Sequence, residues 1–230
     1  MKVTTDFIAE YQQGFSDNTC DFLVEHFDKM PRYENFINGE QAGTQQQFIE
    51  ASLNANELAP VYAQVIKELA PSIEKYLSTY YQVVLAGLSL EVYHPVTGAV
   101  TALTTDNFQE VGLPQIGVLM RKLFRIAPTY VQKSEQTQST TTCFHSDSFP
   151  KPDNLENLHR ILTITVFLND IEQGGGIEFS EFDKKISAQR GKVVIFPAYF
   201  THAYRQLKPQ STSRFQLNCG LLYSRSGEIY

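Results

Sequence analysis

The sequence predicts an α+β chain that is mainly β, with helices in its first third and short strands in the remainder. Two observations carry this prediction. Residues 45–81 hold apolar side chains four apart, whereas the chain from residue 160 onward consists of β-branched and aromatic runs separated by turn residues. Several short strands divided by turns are typical of a barrel or a double-sheet jelly roll.

The helical part begins near residue 17. Ser16 or Asp17 can cap a helix that continues to Pro31. Residues 45–81 are predicted to form one or two amphipathic helices, with Pro60 and Pro71 near helix starts. We expect these helices to pack on the outside of the larger sheet.

Glycines and prolines without a clean period occupy residues 87–116, which predicts a hairpin or loop region. Beyond it, extended runs are predicted at residues 160–170, 177–179, 191–197 and 213–223. With 230 residues and 42% hydrophobic content, the chain can bury one sizeable core, so a single domain over 1–230 is expected.

A possible metal site is predicted by His145, Asp147 and the distant His202. If residues 144–147 are extended, His145 and Asp147 point to the same side, because side chains alternate along a strand. Two imidazoles and one carboxylate on one face of an octahedral ion suit non-haem Fe(II) and leave positions open for other ligands.

An anion anchor is predicted at Arg214. A guanidinium can donate two parallel hydrogen bonds to a carboxylate and stays charged when it is removed from water. On an extended segment, Arg214, Gln216 and Asn218 share one face, with apolar residues on the other. Such a strand fits a barrel that encloses a ligand better than a plain core.

Taken in chain order, these motifs resemble the Fe(II)/2-oxoglutarate-dependent oxygenases, specifically the prolyl 4-hydroxylase-like branch. The resemblance is close over residues 117–224 and general before them. The positions that match the pattern of the branch are Arg160, Thr163, Leu168, Asn169, Asp170, Gly174, Gly175, Phe179, Gly191, Phe196, His202 and Arg214.

The resemblance implies a double-stranded β-helix (jelly roll) as the catalytic core, over 117–224, with residues 1–86 as its helical N-terminal support. It implies that His145, Asp147 and His202 are the catalytic iron ligands and that Arg214 binds the distal carboxylate of 2-oxoglutarate. The reagents implied are Fe(II), 2-oxoglutarate as co-substrate and dioxygen, with ascorbate as an optional addition.

The chain departs from the family at two aromatic positions. Phe167 stands where many members carry a co-substrate-binding Tyr, and the usual final-strand Trp is absent. Gln132, Ser134 or Thr163 could supply the missing hydrogen bond, and we assign co-substrate contacts to Gln132 and Thr163.

The activity implied is hydroxylation of an unactivated C–H bond, in a prolyl or other residue of a peptide or protein. A free amino acid or a small metabolite is the alternative substrate. Related halogenases have a small residue at the position of Asp147, so its carboxylate favours hydroxylation. A cupin-like metal isomerase is disfavoured by Arg214, and a non-catalytic binding module by the intact ligand set.

Composition excludes several other classes. A net charge of −6 argues against binding to a phosphate backbone. We find no run of 18 apolar residues and no secretory signal, so we expect no membrane association. The three cysteines are widely spaced and suggest no disulfide framework, so we expect a cytoplasmic location. His26, His94 and His159 are expected to be ordinary surface or core residues, and the sequence does not indicate an oligomeric state.

Overall fold

The structure is a computed structural model, and it describes residues 5–38, 45–85, 90–136, 141–150 and 155–224. The helices are α1 (Asp17–His26), α2 (Ala59–Thr79), α3 (Gln82–Leu85) and α4 (Ile116–Leu123). The strands are β1 (Ala9–Tyr11), β2 (Arg32–Asn38), β3 (Gln45–Ser52), β4 (Glu91–Tyr93), β5 (Val100–Ala102), β6 (Phe124–Ile126), β7 (Tyr130–Ser134), β8 (Arg160–Phe167), β9 (Ile177–Phe179), β10 (Lys185–Ile186), β11 (Val193–Pro197), β12 (Tyr204–Gln206) and β13 (Arg214–Tyr223).

The strands form two main antiparallel sheets within the described part of the chain. The larger sheet has the order β1-β11-β8-β13-β7-β3-β2, and β6 also pairs with β13. The smaller sheet has the order β10-β9-β12, and β4 and β5 form a separate hairpin. The mainly β, α+β fold class predicted from the sequence is therefore confirmed.

Strand β11 shows how the larger sheet separates two apolar clusters. Val193 and Ile195 belong to a cluster that also contains Leu69 and Ile73 of α2, whereas Val194 and Phe196 belong to a cluster with residues of the smaller sheet. This division follows from the alternation of side chains along a strand. The helices thus cover one face of the larger sheet, as predicted, and the smaller sheet covers the other.

Helix α1 begins where the sequence predicts. The Ser16 side chain accepts a hydrogen bond from the backbone N–H of Thr19, which satisfies one of the free donors at the helix start. After His26 the chain continues as a 3-10 turn over Phe27–Lys29 and then turns into β2. The predicted stop at Pro31 is therefore correct to within a few residues.

The helical prediction for residues 45–52 is wrong, because this segment is strand β3. It pairs with β2 on one side and with β7 on the other, for example Ile49 opposite Lys133. Its side chains alternate: Ile49 and Ala51 pack on the core, while Phe48 and Glu50 line a cavity. Pairing on both edges outweighs the weak local preference of a Gln-rich segment.

Two further boundaries differ from the prediction. Pro71 does not start a helix but lies inside α2, on its exposed side. Residues 116–123 form α4 rather than the beginning of the strand-rich core. The hairpin predicted between residues 87 and 116 is present as β4–β5, and Gly87 lies outside the described residues. In the described residues, no helix combines the length and the apolar character needed to cross a membrane.

Glu68 on α2 links this helix to the start of α1 through hydrogen bonds. Its carboxylate accepts hydrogen bonds from the backbone N–H and hydroxyl of Ser16, from the Thr19 hydroxyl and from the Gln64 amide. Burial alone would raise the pKa of Glu68, but these hydrogen bonds outweigh it and hold the pKa below its ordinary value of 4.5.

We expect Glu68→Gln to lower the free energy of unfolding by about 1–2 kcal/mol at neutral pH, since charge-assisted hydrogen bonds are lost. Because the folded pKa is lowered, the stabilisation is full above the unfolded value and disappears as the pH falls through the folded value. Urea unfolding at pH 7 and pH 3 measures both effects. Glu57→Gln, at an exposed site, is the control, and equal losses at both pH values would contradict this account.

Candidate active site

A cavity of about 930 Å³ opens beside the centre of the larger sheet. Its walls come from the β2–β3 hairpin, from β7, β8, β12 and β13, and from the segment around residues 145–149. It is lined by four of the residues that the sequence analysis assigned to the site, namely Gln132, His145, Asp147 and Thr163. His202 and Arg214 are not among its lining residues.

His145 and Asp147 come together as predicted from their spacing. The backbone of His145 pairs with that of Tyr204 through two hydrogen bonds of 2.9 Å, which keeps this segment extended. His145 Nδ1 lies 3.0 Å from the carbonyl oxygen of Cys143. A proton on Nδ1 that is donated to this carbonyl leaves Nε2 unprotonated, as metal ligation requires.

Three neighbours hold the Asp147 carboxylate. The Thr163 hydroxyl donates to Oδ2 at 2.5 Å, the Tyr204 hydroxyl lies 3.3–3.4 Å from both oxygens, and Arg160 approaches Oδ2 to 3.6 Å. Burial, and next the charge of Asp147, raise the pKa of Tyr204 well above its ordinary value. The phenol therefore stays protonated and acts as a hydrogen-bond donor to the carboxylate.

Tyr204 is a site residue that the sequence analysis missed. Its ring centre lies 4.5 Å from that of His145, and its side chain is enclosed by Phe179 and Phe196. The alternation of side chains along a strand could have indicated Tyr204. This residue follows the predicted ligand His202 by two positions, so the two side chains would share one face of an unbroken strand.

His202 does not join His145 and Asp147 in this structure. It ends a 3-10 turn over Phe200–His202, and strand β12 begins only at Tyr204. Its Nε2 lies 2.8 Å from the carbonyl oxygen of Asp6, its Nδ1 bonds the Thr201 hydroxyl, and its ring packs on Phe182. Burial lowers the pKa of His202, so the ring is neutral.

Arg214 is fully buried in the sheet, behind the cavity. Its guanidinium donates to the backbone oxygens of Gly175 and Leu207, to the Ser134 hydroxyl and to the amide oxygen of Gln206. All four acceptors are uncharged, and Nε has no hydrogen-bond partner among the described residues. Burial lowers the pKa of Arg214 to about 10, which still leaves it charged at neutral pH.

An amide cluster lies between Arg214 and the cavity. The amide oxygen of Gln132 accepts hydrogen bonds from Gln216, Asn218 and Gln206, and Thr165 donates to Asn218. This arrangement follows from the predicted face of β13, because Gln216 stands opposite Gln132 in the register. Gln206 is a second residue that the sequence analysis missed.

Arg160 brings a positive charge into the cavity itself. Gly220 stands beside it on β13, where a Cβ atom would lie only 2.9 Å from Arg160 Nε. The missing side chain thus gives the arginine room to reach Asp147 across the sheet. The sequence analysis matched Arg160 to a family pattern without assigning it a role at the site.

Residues 131–219 match the sequence model of the 2OG-Fe(II) oxygenase superfamily. This segment runs from β7 to β13 and contains His145, Asp147, Gln132 and Thr163. By this match, the segment carries the sequence pattern of this oxygenase superfamily. Among curated proteins, none matches the sequence.

Solved structures resemble this chain over nearly its whole length. The viral collagen prolyl hydroxylase vCPH from Paramecium Bursaria Chlorella virus-1, as its 2OG complex, is 14% identical and has a TM-score of 0.57, with 94% of this chain and 95% of that chain covered. A prolyl hydroxylase from Trichoplax adhaerens is 13% identical with a TM-score of 0.52, and 98% and 86% are covered. The non-haem alpha ketoglutarate dependent epimerase SnoN from nogalamycin biosynthesis is 11% identical with a TM-score of 0.52, and 96% and 82% are covered.

These likenesses confirm the jelly-roll fold of the chain. At such low sequence identity, they show the fold of the chain and do not show its substrate. The family implies Fe(II) and 2-oxoglutarate as the groups that the site uses.

The cavity fits the predicted iron set only in part. His145 and Asp147 present an imidazole nitrogen and a carboxylate to the same space. In the part of the chain that the structure describes, however, no three His, Cys, Asp or Glu side chains stand close enough to share a metal ion. The reason is the turn at Phe200–His202, which directs the His202 ring toward Asp6.

Thr163 orients Asp147, and partners of this kind tune metal affinity. We expect Thr163→Val to weaken binding of Fe(II) or Mn(II) about tenfold, because a carboxylate that loses its hydrogen-bond donor is held less firmly. Thr165→Val, two residues along the same strand face, is the control and should leave metal affinity unchanged. Isothermal titration with Mn(II) measures both, and equal affinities in the two variants would contradict the role given to Thr163.

Proposed function

We propose that this oxygenase hydroxylates an unactivated C–H bond in a prolyl or other residue of an extended peptide. When bound, iron and 2-oxoglutarate would together activate dioxygen: 2-oxoglutarate would lose carbon dioxide and take up one oxygen atom to become succinate, and the other oxygen atom would enter the C–H bond. The protein's own residues bind the co-substrate, orient it and keep the reacting groups apart from bulk water.

The observation that carries the proposal is the unpaired positive charge of Arg214 behind the cavity. Taking a cation out of water is costly unless an anion accompanies it. Arg214 is completely buried, and all of its acceptors in the described structure are neutral. A dicarboxylic co-substrate supplies the missing anion, and the family match supports that identity.

A peptide substrate is supported by the aromatic lining at the mouth of the cavity. Tyr33 is 57% exposed and Phe149 is 44% exposed, although both line the cavity. Exposed aromatic grooves bind extended, proline-containing segments, whose rings pack on the aromatic faces. The prolyl hydroxylases among the similar structures agree with this assignment.

A free amino acid or small metabolite is the second candidate. The cavity volume of about 930 Å³ falls within the range of small-molecule sites. One assay separates the two candidates: release of succinate from 2-oxoglutarate, with Fe(II) and dioxygen, in the presence of proline-containing peptides, the same peptides with alanine, or free amino acids.

Arg214→Ala tests the co-substrate anchor. We expect it to weaken 2-oxoglutarate binding at least about 100-fold while metal affinity changes little, because a direct charged contact is removed. Direct titration of 2-oxoglutarate into the metal-loaded protein gives the affinity. Equal losses of metal and co-substrate would indicate a folding defect, and full retention of both would remove the basis of the proposal.

We further propose that His202 completes the metal site. Its Nε2 contacts the carbonyl oxygen of Asp6, and a metal ion bound by His145 and Asp147 attracts a neutral imidazole more strongly than this carbonyl does. We expect His145→Ala and His202→Ala each to weaken Fe(II) binding more than about 100-fold, beyond the loss for an indirect partner. His159→Ala is the control, and unchanged iron affinity in His202→Ala would exclude His202 as a ligand.

Tyr33→Ala tests the peptide surface. We expect the KM for a peptide substrate to rise about tenfold while the KM for 2-oxoglutarate stays the same, since one exposed aromatic contact is lost. Tyr93→Ala, at a residue that is 70% exposed on the separate β4–β5 hairpin, is the matched control. An equal rise in both variants would place the peptide elsewhere.

A further inference from the structure

Gln206 stands between the buried guanidinium and the cavity. Of the four groups in the described part of the chain that accept a hydrogen bond from Arg214, two are backbone carbonyls and one is the Ser134 hydroxyl. Gln206 is the only one of them that also lines the cavity, while Arg214 itself does not line it. A ligand that approaches Arg214 from the cavity therefore meets the Gln206 amide first.

The contact between the two side chains is short and well placed. Arg214 donates from Nη2 to the amide oxygen of Gln206 at 2.6 Å. A carboxamide oxygen and a carboxylate oxygen have similar size and both accept hydrogen bonds, but only the carboxylate carries a charge. The amide oxygen thus occupies the position that an anion would take on the guanidinium.

The hydrogen bonds that hold the backbone of Gln206 do not involve its side chain. Its N–H donates to the Thr142 hydroxyl at 2.9 Å, and its carbonyl accepts from the Thr142 N–H at 3.0 Å. The amide nitrogen has a weaker contact, 3.4 Å from the Gln132 oxygen. Rotation of the side chain therefore breaks one strong and one weak hydrogen bond and leaves strand β12 in place.

We propose that the Gln206 amide oxygen occupies the position on Arg214 that the distal carboxylate of the co-substrate takes when it binds. 2-Oxoglutarate then binds by displacing this amide from the guanidinium. This inference rests on the proposed function, because it takes Arg214 as the carboxylate anchor. It makes Gln206 a residue that sets co-substrate affinity. In this exchange the neutral amide oxygen of Gln206 is replaced by a charged carboxylate as the acceptor from the buried Arg214. The stronger hydrogen bond favours the state with 2-oxoglutarate bound.

Two substitutions at Gln206 have opposite expected effects. Gln206→Glu places a permanent carboxylate against Arg214, so 2-oxoglutarate should bind at least about tenfold more weakly. Gln206→Ala removes the competing acceptor, so 2-oxoglutarate should bind several-fold more tightly, on the order of the loss of one hydrogen bond to a charged group. Gln189→Glu, at an exposed site, carries the same charge change and should bind like the wild type.

The measurement is anaerobic isothermal titration of 2-oxoglutarate into the Mn(II)-loaded protein, with Mn(II) affinity recorded separately for each variant. A second probe is 2-oxobutyrate, which keeps the 2-oxo acid group and lacks the distal carboxylate. Its affinity should be the same in the wild type and in Gln206→Glu, since it does not compete for Arg214.

The results of these titrations distinguish a failure of the proposed function from a failure of the Gln206 displacement. Failure of the wild type to bind 2-oxoglutarate at all would count against the proposed function. Normal binding by the wild type together with unchanged binding by Gln206→Glu would overturn the displacement alone. Weaker binding by Gln206→Ala would also overturn it, because Gln206 would then contact the co-substrate directly. If Gln206→Glu fails to fold, as its melting curve would reveal, the sign of the Gln206→Ala effect decides.

Discussion

The pairing of β13 with β7 on one side and β8 on the other is the constraint on which the core and the cavity both depend. Its register places Arg214 opposite Ser134 and Gln216 opposite Gln132, and on the other side Asn218 opposite Thr165. A slip of one residue would exchange the two faces of the strand. The polar face would then enter the apolar cluster under the helices, and Arg214 would lose its acceptors.

The strands that were predicted correctly owe this to their composition. Strand β8 is rich in β-branched residues, and β13 begins with polar and apolar residues in alternation, so a local pattern was sufficient for both. Strand β3 was missed because its Gln-rich sequence has no such pattern, and its extended form depends on two neighbours that are distant in sequence. Pro71 was misplaced because α2 continues past it with the proline on the exposed side.

The candidate site likewise contains features that the sequence could predict and features that it could not. The closeness of His145 and Asp147 could be predicted, since it needs only an extended segment of three residues. The direction of His202 could not, because it depends on a 3-10 turn and on the contact of its ring with Asp6, which is distant in sequence. Gln206 could be found only once β12 was known to pass over the cavity.

The contact of His202 with Asp6 ties the imidazole to one margin of the larger sheet. Asp6 lies just before β1, a strand of three residues that pairs only with β11 among the strands that the structure describes. Short strands at a sheet margin open far more often than the centre does, without any change in the core. Local fraying of β1 would therefore release the imidazole while β8 and β13 stay paired, so that amide hydrogen exchange at residues 9–11 reports how freely this side chain can change partners.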